Sequence, residues 1–130
     1  SRAFRQKIAA AEAALFVTPE YNRSVPGSLK NAIDIASRPY GQSAWSGKPA
    51  GVISVSPGAI GGFGANQHLR QSLVFLDMPA LQQPEAYVGG AADMFDESGA
   101  IKKPETKQFI DKFLAAFADW IERTAKTRVG

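Results

Sequence analysis

Two stretches of this sequence hold the residue types that shape ligand loops. The first runs Thr18-Pro19-Glu20-Tyr21-Asn22-Arg23-Ser24-Val25-Pro26-Gly27-Ser28, the second Ser56-Pro57-Gly58-Ala59-Ile60-Gly61-Gly62. Proline, glycine, asparagine and serine set tight backbone turns. Each stretch follows a short apolar run and leads into a segment of helical periodicity. Backbone N–H groups at such turns can bind an anion or the polar edge of a heterocycle. Loops that only turn have the same composition, so composition alone weighs a ligand site and a plain turn equally.

Other chemistries are removed by count. The chain has no cysteine, which excludes disulfides, thiolate catalysis and cysteine zinc sites. One histidine, His68, excludes a multi-histidine metal site within the chain. His68 falls inside a predicted helix beside Arg70, which suits a structural or subunit contact better than catalysis. Arg23 and Arg70 are candidates to pair with carboxylates of another subunit, though most such pairs contribute little. The net charge is +3, but the basic residues are scattered without interleaved aromatics, so no nucleic-acid partner is expected. No apolar run approaches bilayer-crossing length, and Ser1 to Lys7 do not form a signal peptide. The expectation is a cytoplasmic protein without a membrane partner.

The elements that must position the two loops alternate. The length of 130 residues fits one domain, and 45% hydrophobic against 21% charged residues gives it material for one core. Arg5 to Glu12 reads as the end of a helix with Phe4, Ile8 and Ala11 on one face and no capping residue at its start. Ala13 to Val17 is an unbroken apolar run, as expected of a parallel strand buried on both faces. Pro26 to Ser37 is an amphipathic helix with proline at its first position. Ala50 to Ser56 is a second buried strand, and Gly62 to Leu76 a helix with Ala65, Leu69, Leu73 and Leu76 on one face. Pro84 to Val88 is a weaker strand whose proline suggests an edge. Asp96 to Gly99 is a turn. Pro104 to Lys126 is a helix with a wide apolar stripe that includes Phe109, Phe113, Phe117 and Trp120, and with Arg123 and Lys126 near the negative end of its dipole. Pro39 to Pro49 is a polar loop in which Trp45 is expected to be exposed. The alternation predicts an α/β fold: an open parallel sheet, middle strand central, covered by helices on both faces. Ligands of such sheets bind beyond the carboxyl ends of the strands, where both loops lie.

The stretch Pro19 to Asp34 resembles the signature of the NADPH-dependent FMN reductase family, which includes quinone, azo-dye and chromate reductases. Ser56 to Gly62 with His68-Leu69-Arg70-Gln71 is similar to the family's second hallmark. Trp45, Gly47-Lys48-Pro49, Gln83-Pro84-Glu85 and the closing aromatic helix also match, so the likeness spans the chain. It implies a flavodoxin-like three-layer sandwich, here without its first strands. Family members open with a strand and a phosphate-binding loop, then a helix and a second strand. This chain starts in the helix before the third strand, so residues 1–130 correspond to the C-terminal part of one domain. A strand–helix–strand unit of more than about 30 residues would precede it.

The resemblance further implies FMN and NAD(P)H as cofactors, a small-molecule electron acceptor, and a homodimer or homotetramer. Its Pro-Glu-Tyr-Asn loop contacts the flavin ring, which carries over to Pro19, Glu20, Tyr21 and Asn22, mainly through backbone amides. Ser56, Pro57 and Gly58 are implied to lie near the flavin, and Gly61 and Gly62 to let the backbone approach closely. No residue is implied as a catalytic acid or nucleophile; general-acid work by Glu20 has no support in the sequence. The implied activity passes electrons from NAD(P)H through FMN to quinone-, azo- or metal-oxyanion-type acceptors. Two other readings stand beside it. One is a flavodoxin-type electron carrier without reductase activity, whose usual acidic surface disagrees with the +3 charge. The other is a truncated chain inactive by itself. In the flavodoxin-like order the first strand lies between the second and third. The strand Ala13 to Val17 is therefore expected to show an open edge.

Overall fold

The computed structural model describes the backbone of residues 1–129 and the side chains of residues 1–125. In chain order it forms α1 (Arg2–Ala10), β1 (Ala14–Thr18), α2 (Gly27–Ala36), β2 (Ala50–Val55), α3 (Phe63–Phe75), β3 (Ala86–Val88) and α4 (Pro104–Val129), with one 3₁₀ turn at Ala91–Asp93. The three strands are parallel in the order β1-β2-β3. Thr18 pairs with Ser54 at the carboxyl end, and Val55 with Val88. The sheet and its central strand are as the sequence predicts.

Successive residues of a strand face opposite sides. Phe16 and Val52 therefore point to one face, where they pack with Ile33 and Ala36 of α2 and Leu69 and Leu73 of α3, while Phe4 and Ile8 of α1 close the edge of this cluster. Ile53, Ala86 and Val88 point to the other face, against Phe113 and Phe117 of α4. Gly51 gives α4 room: a Cβ there would lie 3.0 Å from the Phe117 ring. The result is three layers, with β2 buried along its length.

Four expectations change. Trp45 is 3% exposed, not on the surface. Its ring packs 5.6 Å from that of Phe16, and its indole N–H donates to the Ile33 carbonyl at 2.9 Å. A tryptophan with its one donor satisfied is a stable core residue even in a polar loop. Ser1 does cap α1, its hydroxyl accepting from the Phe4 N–H at 3.3 Å, and the helix ends at Ala10 rather than Glu12. Pro26 is the N-cap of α2, one residue outside it, with extended ψ 147°. β1 is buried on one face only: Leu15 is 39% and Val17 60% exposed, on the side where the α4 cluster centres on Ile53, Ala86 and Val88 of the other two strands. The weak third strand is a three-residue edge, beginning after Pro84 and Glu85. The dipole argument for Lys126 falls on a side chain outside the described ones.

Candidate functional site

Because β1 and β2 are adjacent and parallel, the segments leaving Thr18 and Val55 rise side by side from one end of the sheet. Strand neighbours are about 4.8 Å apart. The first segment, residues 19–26, folds back as a tight turn. The Tyr21 N–H donates to the Ser24 carbonyl at 2.9 Å and the Ser24 N–H to the Tyr21 carbonyl at 3.0 Å. Asn22 and Arg23 both have positive φ, 52° and 68°. Two such residues make a type I′ turn, and asparagine tolerates that region better than most side chains. The amides of Asn22 and Arg23 donate to no acceptor among the described residues.

The second segment, residues 56–62, is held from its far side. The Ser56 N–H donates to the Val88 carbonyl at 3.0 Å, and the Gly90 N–H to the Gly58 carbonyl at 3.2 Å. The Ser56 and Gly58 carbonyls are thus occupied, by the Ala91 and Gly90 amides, while the amides of Gly58, Ala59 and Ile60 have no acceptor among the described residues. A run of unspent backbone N–H groups is a concave donor surface for an anion or a carbonyl edge. The Ser56 hydroxyl turns back to the Gly58 carbonyl at 3.3 Å. Gly61 and Gly62 have φ of 72° and 78°, and a Cβ on Gly61 would sit 2.5 Å from the Tyr87 carbonyl carbon. Gly58 shows no such crowding, with only the Ser56 hydroxyl at 3.9 Å, so its bare Cα borders open space.

Pro19 and Tyr21 line a cleft of about 450 Å³ with Val17, Pro26, Gly27 and Leu29. Tyr21 is 61% exposed. Glu20 is turned the other way. Its Oε2 accepts the Ala65 N–H at 2.8 Å, so its side chain does not line the cleft. His68 lies 2.6 Å, Nδ1 to Oγ, from Ser24 and so serves a structural contact. Of the seven residues singled out, Pro19 and Tyr21 share the cleft, Asn22 sits exposed on the adjoining turn, and Ser56, Pro57 and Gly58 form the neighbouring loop.

Sequence reasoning missed a polar line beneath the second loop. The Ser54 hydroxyl donates to the Gly61 carbonyl at 2.7 Å, and Asn66 Nδ2 donates to Ser54 Oγ at 3.1 Å and to the Ala86 carbonyl at 3.2 Å. Arg70 Nε donates to Asn66 Oδ1 at 2.9 Å. Ser54 and Asn66 are both fully buried. The signal was there: a serine inside an apolar strand, and an asparagine at helical spacing with Leu69 and Leu73. A second cluster centres on Tyr87 of β3. Tyr87 donates its hydroxyl to Glu85 and accepts from Gln67 Nε2 at 2.6 Å. The Tyr87 hydroxyl, then Gln83, hold the Glu85 carboxyl below its usual range; burial, then Glu85 itself, pushes Tyr87 up.

Comparison with known proteins places this arrangement in a group. The chain is 66% identical to a quinone reductase of Pseudomonas putida over 119 residues, which cover 92% of the chain and 63% of that protein. It is 47% identical to a 2-hydroxy-1,4-benzoquinone reductase of Burkholderia sp. over 121 residues, 93% of the chain and 66% of the relative. FerB, a flavoenzyme NAD(P)H:(acceptor) oxidoreductase from Paracoccus denitrificans, superposes with a TM-score of 0.86 at 44% identity, over 92% of this chain and 66% of that one. The chain thus spans just under two thirds of these proteins, and its fold is the flavodoxin-like α/β sandwich. Residues 1–93 match the family model described as NADPH-dependent FMN reductase, and the chain belongs to that family.

Proposed function

We propose that the whole protein is an NAD(P)H-dependent FMN oxidoreductase acting on quinone-type acceptors. The observation that carries this reading is the pair of loops beyond adjacent strand ends, each with unspent backbone amides, one of them beside an open cleft. That donor set fits FMN: a polar heterocycle needs N–H donors along one edge and room for a flat ring. Bound FMN supplies the hydride and electron transfer, which calls for no protein nucleophile or metal. The chain's own residues do the placing. Pro19 and Tyr21 wall the ring's side of the cleft, and the turn at Asn22 presents its amide. Ser56, Pro57 and Gly58 face the ring from β2, where glycine keeps the approach open. Such fixed dipoles, aimed where negative charge develops, favour the charged state without reorganisation.

The quinone-directed names of the relatives support quinones as the acceptor class. We further propose a homodimer or homotetramer. Among the described residues no helix is long and apolar enough to cross a membrane. The need for NAD(P)H supports a cytoplasmic location. Titration of FMN fluorescence against the purified protein, followed by NADPH oxidation with benzoquinone, tests the reading. Saturable quenching with quinone-dependent NADPH consumption is expected. Tight FMN binding without reduction by NADPH would make the protein a flavodoxin-type carrier instead.

A further inference from the structure

The start of α3 lacks a cap of its own. Its N-cap, Gly62, has no side chain and φ 78°, and a Cβ there would meet the Ser54 Cβ at 2.9 Å. Serine, threonine or aspartate, the residues that normally cap a helix, are therefore shut out at this position. The first amides of a helix still need acceptors. One comes from outside: Glu20, 45 residues earlier in the chain, places Oε2 2.8 Å from the amide of Ala65, the third residue of α3. A carboxylate there also meets the positive end of the helix dipole. Gly64 makes the space, since a Cβ on it would lie 2.5 Å from that oxygen and 2.6 Å from the Arg23 carbonyl. One turn on, Ser24 and His68 join the same loop to the same helix.

We propose that Glu20 is a positioning residue, a cap borrowed from the first loop that locks the Pro19–Asn22 turn to α3 and so fixes its distance from the Ser56–Gly58 loop. This rests on the reading of both loops as the flavin site. The Glu20 side chain itself touches no ligand. Loss of the carboxylate frees the first loop to drift and leaves the Ala65 amide without an acceptor. Glutamine keeps an oxygen of the same reach, so it retains the geometry with a weaker, neutral hydrogen bond.

The test compares Glu20→Ala and Glu20→Gln with the unaltered whole protein by two readouts, amide exchange at Ala65 without flavin and FMN affinity by fluorescence titration. The expected result is faster exchange at Ala65 and roughly tenfold weaker FMN binding in Glu20→Ala, with both largely restored in Glu20→Gln. Ala65 exchange unchanged in Glu20→Ala would overturn the cap. Faster exchange with unchanged FMN affinity would overturn the positioning role. Equal loss of FMN affinity in both variants, with exchange normal in Glu20→Gln, would mean that the carboxylate contacts ligand and would also overturn it. Failure of the unaltered protein to bind FMN would sink the flavin reading and the positioning role with it. The exchange data would then still show whether the cap exists.

Discussion

Asn66 lies on the apolar face of α3 between Ala65 and Leu69 and is fully buried. Its amide joins Ser54, the Ala86 carbonyl and Arg70, so one side chain ties β2, β3 and α3 beneath the second loop. Asn66→Leu would leave Arg70 Nε without its acceptor, and Ser54 Oγ and the Ala86 carbonyl without the Asn66 donor. Each stranded polar group costs about 1–3 kcal/mol. A loss of about 3 kcal/mol in urea unfolding is expected, and a loss within about 0.5 kcal/mol, as at ordinary surface sites, would contradict the network. The Glu85–Tyr87 pair makes a second prediction, at the two ends of the pH scale. Glu85 has a lowered pKa in the folded chain, so its contribution is present at neutral pH and fades as acid protonates it. Tyr87 has a raised pKa, so its contribution holds below the usual tyrosine value of about 10 and is lost as pH rises through the folded value. Tyr87→Phe removes the tyrosine titration and the larger of the two hydrogen bonds that lower Glu85: the Glu85 carboxyl carbon should titrate at higher pH by NMR, and the alkaline fall in stability should shrink. An unmoved Glu85 titration would show that the pair does not exist in solution. The Ser54 and Asn66 positions leave a trace in the sequence, a polar residue at an apolar position, but the partner of each is not visible as local pattern. Glu20 and Ala65 are 45 residues apart, and only the folded chain brings them together.

At the scale of elements, periodicity was the readable quantity. β2, buried on both sides, appears as a continuous apolar run, and α4 as a stripe at helical spacing ending in Phe113 and Phe117 against the sheet. β1 has the same kind of run, yet Leu15 and Val17 are exposed. An apolar run states what a strand can bury, not which neighbours arrive to cover it. Trp45 departs from expectation for the converse reason: its neighbours are polar, but the loop folds under α2, whose Ile33 carbonyl accepts from the indole N–H. The two loops were legible because they need particular backbone geometry, and glycine marks where. Gly61 combines φ 72° with a Cβ position 2.5 Å from β3 backbone, whereas Gly27, at the start of α2, has nothing within 4 Å and no positive φ. Gly61→Ala should therefore destabilise by at least about 2 kcal/mol. Gly27→Ala should be neutral or stabilise by up to about 1 kcal/mol through a less mobile unfolded chain. Paired denaturation midpoints check the contrast, and similar values for the two variants would refute it.

For the molecule as a whole, the notable surface is the free side of β1. The Ala14 N–H donates to the Pro49 carbonyl, which sets the alternation of the strand. In a parallel ladder the residues of one parity bond to one neighbour and those of the other parity face away. Ala14, Phe16 and Thr18 therefore bond toward β2, and the amides of Leu15 and Val17 point outward. Among the described residues no strand pairs with that side. Leu15 and Val17 also expose apolar side chains there, so the edge offers both hydrogen-bonding groups and apolar surface. Such an edge recruits another strand or self-associates. Two expectations follow for the 130-residue chain studied alone. In a monomeric sample, Leu15 and Val17 should exchange their amide hydrogens orders of magnitude faster than Phe16, which lies between them. As concentration rises, light scattering should report association, and Leu15 and Val17 should gain protection while Phe16 stays as it was. A strand supplied by a longer chain would protect Leu15 and Val17 at every concentration, so the concentration dependence separates it from self-association. Slow exchange at all three residues in a verified monomer would mean that the edge is already closed, and the parity argument would fail.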